Sequence, residues 1–208
     1  MQVGNGTYTA GISGLKPFTG GGTVYFKGDT TTPSNVIIQP SGGAAVFQAT
    51  FIGVFYAIGG FKIVANAVSF GIYCSGLAQL TIQGKCEFNT VGGGTGVHIA
   101  AHGGFVLIVA DYTISASASA HYKLWSKGLI EVVAVTITLT GTPAWGNAFA
   151  YCYGVSVLDV EAVPTFSGSA TGTRYNVQWN GFIDTLGAGS TYLPGNSAGI
   201  AVNGGLYL

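Results

Sequence analysis

The chain contains very little charge. Of its 208 residues, 7 are Lys or Arg and 7 are Asp or Glu, which is 7% of the chain, and the formal net charge is zero. Soluble domains usually contain about 25% charged residues. A groove for nucleic acid needs clustered Lys and Arg, so we expect no nucleic-acid partner. The mean hydropathy of +0.48 indicates surplus apolar surface, which favours association with other copies of the chain.

Long hydrophobic runs are also missing. A membrane-spanning helix needs about 20 consecutive apolar residues, whereas "FVLIVA" ends at Asp111 and "LIEVVAVTITLT" contains Glu131. We therefore expect no insertion into a membrane. The opening phrase "MQVGNGTYTAG" lacks the basic and apolar segments of a signal peptide. We expect the sequence to be an excised fragment or a domain that follows another one.

Residues that bind metals or cofactors are few. The three cysteines, Cys74, Cys86 and Cys152, form no ligand cluster, and we interpret them as small buried hydrophobic residues. His98 and His102 are four residues apart in a strand-like context, which separates them by about 13 Å. We therefore expect no metal site and interpret His98 as a packed, hydrogen-bonded core residue. Phosphate-binding, dinucleotide-binding and nucleophile-elbow motifs are missing as well, so we expect no cofactor.

Glycine is abundant, with 35 residues, and a repeated phrase is centred on six of them. These are Gly53, Gly76, Gly104, Gly128, Gly154 and Gly181, spaced 23 to 28 residues apart. Four residues before each glycine stand Ala49, Ile72, Ala100, Leu124, Ala150 and Val177, all of them apolar. Columns of this kind arise when each phrase is one coil of a solenoid and like positions stack. With many β-branched residues and no helical pattern, the sequence predicts an all-β, right-handed, single-stranded parallel β-helix with three strands per coil.

The composition divides the chain into three parts. Residues 1–45 contain short strand phrases separated by Gly, Thr and Pro, and we expect opening coils that cap the amino-terminal end. Residues 46–167 carry the repeat and form the expected β-helix core. Residues 168–208 are rich in Gly, Asn, Ser and Thr, and we expect a thin terminal coil that is ordered by packing against neighbouring chains.

The two ends resemble known families. The Gly-Thr-Tyr and Gly-Asp phrases of residues 1–45 resemble the opening coils of pectin methylesterase-like β-helix proteins in fold, although that family's two Asp and Arg phrases are not found here. The run "TGTRYNVQWNGFIDTLGAG", followed by "YLPGNSAG" and "GGLY", resembles the carboxyl-terminal region of phage and prophage tail fibres or tailspikes. The matching residues are Gly172, Thr173, Arg174, Tyr175, Asn180, Gly181, Tyr192, Pro194, Gly195 and Gly205. This resemblance implies a homotrimeric appendage, on the virion or outside the cell, that contacts bacterial surface polysaccharide.

Carboxylates could give such a protein glycan-cleaving activity. Asp159 and Glu161 are two residues apart, so on one strand they would face the same way about 7 Å apart, which suits an inverting glycosidase. One coil earlier, the glycine alignment places Val133 and Val135 at these positions, and it places Val157 between Glu131 and Asp184. No further polar partner is evident, so we interpret Asp159 and Glu161 as solvated or inter-subunit charges rather than as catalytic residues.

An outward column is expected three residues before each glycine. It contains Thr50, Tyr73, Ala101, Trp125, Tyr151 and Gln178. The aromatic members Tyr73, Trp125 and Tyr151 would suit either stacking on sugar rings or a subunit interface. Given the low charge, the interface is the favoured role of these residues. Together with the resemblance to tail fibres, the sequence predicts a structural and adhesive trimer that contacts host-surface glycans. A glycan-degrading tailspike and a connector without ligand are the alternatives.

Overall fold

The computed structural model describes residues 1–14, 22–92, 94–161 and 163–208. Nearly all of the regular structure is β, and the strands stack in parallel into a β-solenoid of about seven turns. This confirms the predicted fold class. A single turn of 3-10 helix spans Pro33–Asn35, and no helix within the described ranges is long and apolar enough to cross a membrane.

The strands are short, and each coil contributes one strand to each of three sheets. In chain order they are β1 (Gly6–Tyr8), β2 (Ile12–Gly14), β3 (Val24–Lys27), β4 (Val36–Ile38), β5 (Phe47–Ala49), β6 (Phe55–Gly59), β7 (Lys62–Ala65) and β8 (Phe70–Ser75). They continue with β9 (Gln79–Ile82), β10 (Cys86–Thr90), β11 (Val97–His102), β12 (Phe105–Ile108), β13 (Tyr112–Ile114), β14 (Ala118–Trp125), β15 (Leu129–Val132) and β16 (Thr136–Leu139). The last are β17 (Ala144–Tyr153), β18 (Val157–Val160), β19 (Thr165–Ser167), β20 (Thr171–Gly172), β21 (Tyr175–Gln178), β22 (Phe182–Asp184), β23 (Ile200–Ala201) and β24 (Leu206–Tyr207).

Up to β19, every third strand belongs to the same sheet. Sheet 1 has the order β1-β4-β7-β10-β13-β16-β19. Sheet 2 has the order β2-β5-β8-β11-β14-β17-β21-β23, with β20 paired to β17. Sheet 3 contains β3, β6, β9, β12, β15, β18, β22 and β24. A typical coil therefore runs β12, β13, β14 and then turns a corner from sheet 2 back to sheet 3.

The core is a set of stacked apolar columns. One column of sheet 3 consists of Ile58, Ile82, Ile108, Val132 and Val160, each 2% exposed or less. Because side chains alternate between the two faces of a strand, the residues between them point outward. The three cysteines are free and buried, as predicted. Cys74 and Cys152 lie beneath the corner between sheets 2 and 3, where their thiols contact the carbonyls of Ala78 and Ser156 at 3.2 Å.

In four coils, the corner from sheet 2 to sheet 3 consists of three residues, of which two with left-handed φ are followed by a small buried one, as in Gly154, Val155 and Ser156. Gly76 and Gly154 occupy the first position of the corner, whereas Gly128 and Gly181 occupy the third. Aligning all six glycines was therefore wrong by two residues in some coils, and the true pairs include Leu129 with Val157.

The third corner position is small because the backbone of the preceding coil lies directly against it. A Cβ atom on Gly128 would stand 2.1 Å from the carbonyl oxygen of Ala101, and one on Gly181 would stand 2.6 Å from that of Cys152. Such distances require the backbone to move, and this destabilises the fold.

We predict that Gly128→Ala lowers the free energy of unfolding by about 1–3 kcal/mol, in the range of other overpacked sites. Gly42→Ala is the matched control, because a Cβ there meets no atom within 4 Å. Thermal or urea unfolding followed by circular dichroism measures both. Equal stability of the two variants would contradict the close approach of neighbouring coils at Gly128.

Candidate functional site

The outer face of sheet 2 carries a cluster of partly exposed rings at its border with sheet 3, here called the aromatic patch. It consists of Phe70, Tyr73, His102, Trp125, Tyr151, Tyr153 and Trp179, together with Lys123 and Gln178. All but two of these residues belong to the adjacent strands β8, β11, β14 and β17. The parallel register of sheet 2 therefore assembles the aromatic patch from residues far apart in sequence.

The predicted residues Tyr73, Trp125 and Tyr151 all face outward, but they occupy two columns instead of one. Tyr73 aligns with Ala100, then with Lys123 and then with Tyr151. Trp125 aligns with His102 in the neighbouring column. They remained on the outer face because an alignment error of two residues preserves the inward–outward alternation of a strand.

Ala101 was placed in the outward column, and this is wrong. It is fully buried and pairs with Cys74 and Leu124. The corner after β11 contains only Gly103 and Gly104, one residue fewer than the next corner along the chain. This difference of one residue reverses the alternation, so the glycine alignment does not place His102 on the outer face, where it pairs with Trp125. The next two coils carry an aromatic residue immediately before the corner, Trp125 and Tyr153, and this is the signal that could have identified His102.

The rings form a continuous surface. His102 and Trp125 stack with centroids 4.9 Å apart and planes within 18°. The rings of Trp125 and Tyr153 lie 6.3 Å apart and within 9° of parallel. Tyr73 extends this surface on one side, 6.1 Å from Trp125, and Trp179 extends it on the other, 5.9 Å from Tyr153. Trp179 is the most exposed of these rings, at 55%.

Hydrogen bonds hold several of these side chains in place. The Tyr73 hydroxyl lies 3.0 Å from Nδ1 of His102, and Nε2 of Gln178 donates to the Tyr151 hydroxyl at 2.8 Å. Side chains that are fixed before a ligand arrives lose less entropy on binding. The aromatic patch is thus a preorganised surface with polar groups at its edges.

Lys123 brings the only charge into the aromatic patch. Its Nζ atom lies 5.5 Å from the centroid of Trp125 and 6.0 Å from that of Tyr151. Burial lowers the pKa of Lys123. In the part of the chain that the structure describes, the ammonium group has no carboxylate at salt-bridge distance. Its positive charge is therefore available to a ligand that lies on the rings.

A column of carboxylates lies on the outer face of sheet 3. Glu131, Asp159 and Asp184 occupy the same position in three successive coils, on β15, β18 and β22. Strands in a sheet are about 4.8 Å apart, so each of these residues has an acidic neighbour in the next coil. The expectation that Val157 separates Glu131 from Asp184 is wrong, because Asp159 does so.

The charges in this column influence one another. Burial raises the pKa of Glu131, and the negative charges of Glu161 and Asp159 raise it further. The pKa of Asp159 is raised by burial and then by Glu161 and Asp184. Glu161 was expected on the same strand as Asp159, but it lies in an exposed turn after β18 ends at Val160. Asp159 therefore has carboxylate neighbours in both adjacent coils, Glu131 and Asp184, and a further one, Glu161, in the turn that follows its own strand.

His98 and His121 lie inside the solenoid. Their Nδ1 atoms are 3.0 Å apart, and the Tyr112 hydroxyl lies 2.7 Å from Nε2 of His121 and also contacts the Tyr122 hydroxyl. Burial lowers the pKa of His98 to about 3 and holds that of His121 well below its usual value. Both imidazoles are therefore neutral at pH 7, and His98 is a packed core residue as predicted.

Metal ligands and relatives give no further indication of function. In residues 1–14, 22–92, 94–161 and 163–208, no group of three His, Cys, Asp or Glu side chains is placed to hold a metal ion. No protein-family model matches the chain, and comparison with curated proteins and with solved structures finds no match.

The carboxylate column gives a pH prediction. A carboxyl group whose pKa is raised by folding stabilises the fold when protonated, and this contribution is lost as the pH rises through the folded-state pKa. Glu131→Gln should therefore raise the melting temperature at pH 7, and the difference from the wild type should shrink below about pH 4, near the pKa of an unfolded glutamate.

The matched control is Glu87→Gln, which removes the 2.7 Å ion pair between Glu87 and Lys62. This variant should show no gain at pH 7. Differential scanning calorimetry across the pH range measures both variants. A gain for Glu131→Gln that is equally large at pH 3 and pH 7 would contradict repulsion in the column.

Proposed function

We propose that this chain is an adhesive β-solenoid of the phage tail fibre or tailspike kind, which binds bacterial surface polysaccharide through the aromatic patch. The observation that carries this proposal is the row of nearly parallel rings formed by His102, Trp125 and Tyr153 on adjacent coils. Sugar rings have an apolar face of C–H groups, and such a face stacks on aromatic rings while excluding water. The resemblance of the carboxyl-terminal region to tail-fibre ends supports the same biological setting, on the virion or outside the cell.

The aromatic patch suits a polysaccharide better than a compact small molecule. It is an open surface that crosses several coils, so successive sugars of one chain can contact successive rings. The hydroxyls of Tyr73 and Tyr151 lie beside these rings and can exchange hydrogen bonds with sugar hydroxyls. Lys123 favours a polysaccharide that contains acidic sugars, because its charge has no carboxylate partner among the described residues.

Self-association is part of this proposal. The low charge and the high hydropathy of the chain support self-association, and the resemblance to tail-fibre ends implies that three copies assemble. Three copies present three aromatic patches to one surface, and linked weak sites give an avidity far above that of a single site. A rigid stack of strands keeps the spacing between these sites fixed.

We predict that Trp125→Ala weakens binding to host polysaccharide at least tenfold, equivalent to about 1.4 kcal/mol, because it removes the central ring of the row. Lys123→Met should weaken binding of acidic polysaccharide and leave neutral glycans unaffected. Tyr8→Ala is the matched control, since Tyr8 is a 39% exposed ring on sheet 1, away from the aromatic patch. Glycan arrays followed by titration calorimetry measure all three. Equal binding by Trp125→Ala and Tyr8→Ala would contradict the proposal and favour a connector without ligand.

A second candidate function is glycan hydrolysis, and the carboxylate column favours it. Retaining glycosidases place two carboxyl groups about 5–5.5 Å apart, one as nucleophile and one as acid–base with a raised pKa. Neighbouring coils give a spacing of about 4.8 Å, so Asp159 with Glu131 or Asp184 fits this class. Glu131 and Asp184, two coils apart at about 10 Å, exceed the range of inverting pairs. Trp125 and Glu131 flank the same corner, so one polysaccharide chain could reach both.

Release of reducing ends from host polysaccharide tests this alternative. If the chain is a hydrolase, Asp159→Asn should abolish the release, since it removes the carboxylate shared by both pairs, while Glu87→Gln should leave it unchanged. Binding without any release by the wild type would reject the hydrolase and leave the adhesive function.

A further inference from the structure

The outer face of sheet 3 carries a second surface feature beside the carboxylate column. The column nearest the corner, here called the apolar stripe, contains Phe55, Phe105, Leu129, Val157, Phe182 and Leu206. Gln79, between Phe55 and Phe105, is the one polar residue in this column. With strands about 4.8 Å apart, the apolar stripe is about 30 Å long. It follows the solenoid axis, and Leu206 at its end is 55% exposed.

The adjoining corner adds exposed apolar side chains where the backbone is strained. Leu77 and Val155 are 69% and 59% exposed, and their φ values are 63° and 61°. Left-handed backbone is unfavourable for a β-branched residue, and solvent exposure offers Val155 no compensating burial. A depression of about 230 Å³ lies between Phe55, Leu77, Phe105 and Leu129. Strained, exposed apolar residues beside a depression indicate a surface that packs against another molecule.

We propose that the apolar stripe is the face on which further copies of this chain pack, with their solenoid axes parallel. This rests on the self-association in the proposed function and identifies its surface. A second copy is the occupant because it brings an apolar stripe of the same length and strand spacing. Paired along its full length of about 30 Å, the stripe gives each copy a continuous apolar contact with the next.

The charges beside the apolar stripe select the parallel orientation. Lys127 stands on the corner side of Leu129, and Glu131 stands on the other side, followed by Asp159 in the next coil. When copies are related by an axis parallel to the solenoid, the lysine side of one copy meets the acidic side of the next. In an antiparallel pair the two lysine sides would meet each other, and so would the two acidic sides. Opposite charges across an interface favour the first arrangement.

Sedimentation velocity on the full chain tests the proposal. The wild type should be oligomeric at micromolar concentration, and Leu129→Glu should be monomeric. Val109→Glu is the matched control, because Val109 is 43% exposed and follows β12 at the opposite corner of sheet 3; this variant should stay oligomeric. Val155→Asn should also weaken association while the chain stays folded, since Asn tolerates left-handed backbone. This variant keeps the test valid if Leu129→Glu fails to fold.

Orientation is tested by charge exchange and cross-linking. Lys127→Glu should weaken association, and the double variant with Glu131→Lys should restore it. Phe55 lies at one end of the apolar stripe. In the Phe55→Cys variant, a short bis-maleimide should therefore join two copies only when they are parallel. The three native thiols are buried, so the wild type is the control for cross-linking. Absence of cross-linked product in an oligomeric Phe55→Cys sample overturns the parallel arrangement.

The outcomes separate this inference from the proposed glycan binding. A monomeric wild type, or equal dissociation by Leu129→Glu and Val109→Glu, overturns the inference whether or not polysaccharide binds. If Leu129→Glu is monomeric and still binds polysaccharide through one aromatic patch, both proposals hold. If it is monomeric and neither it nor the wild type binds polysaccharide, the stripe is the subunit interface and glycan binding fails.

Discussion

The structure depends on the hydrogen bonding of each strand to the strand of the next coil. This pairing fixes the coils about 4.8 Å apart and brings residues some two dozen positions apart in sequence into contact. Equivalent positions of successive coils therefore stack into columns. A column that repeats one type of residue has the properties of that residue along its whole length. Repeated Ile gives a dry core column, repeated rings give the aromatic patch, and repeated carboxylates give a set of charges that repel one another.

The sequence was sufficient to predict the kind of fold and the direction of many side chains. Tyr73, Trp125 and Tyr151 were correctly expected on the outside because strand alternation has a period of two. The relative position of coils was harder to predict, since glycine serves two purposes in the corner. At Gly154 it adopts a positive φ, whereas at Gly128 it makes room for a neighbouring backbone. These two roles stand two residues apart, and a single sequence does not distinguish them.

The same ambiguity explains why the sequence alone does not reveal the carboxylate column. Shifting the coil of Asp159 by two residues places Val157 beside Glu131 and hides an acidic pair. In the structure, the strand register pairs Glu131 with Asp159 and Asp159 with Asp184. Functional groups on a solenoid are assembled by coil register, so small errors in register change the chemistry that is inferred, even where the fold itself is correct.

The corner between sheets 2 and 3 separates two surfaces with different properties. On one side the aromatic patch combines rings with hydroxyl groups and Lys123, as suits a hydrated polymer. On the other side the apolar stripe offers few hydrogen-bonding groups, as suits a surface covered by protein. A chain that uses both can pack against its own copies and still leave the rings free. In the proposed assembly, other copies cover the apolar stripe, which would account for a chain with so little charge.

The buried chain of polar groups formed by His98, His121, Tyr112 and Tyr122 has a consequence for folding. Apolar columns tolerate slippage, because an Ile that moves onto a neighbouring Val or Leu position loses little. In the present alignment of the coils, Nδ1 of His98, both nitrogens of His121 and the two phenol oxygens have hydrogen-bonding neighbours, whereas Nε2 of His98 has none. Another alignment would separate these groups and leave their buried polar atoms unpaired, and each unpaired atom would lower the free energy of unfolding by about 1–3 kcal/mol. Two histidines and two tyrosines in the centre of the solenoid thus favour one register of the neighbouring coils, which hydrophobic packing alone would specify less strictly.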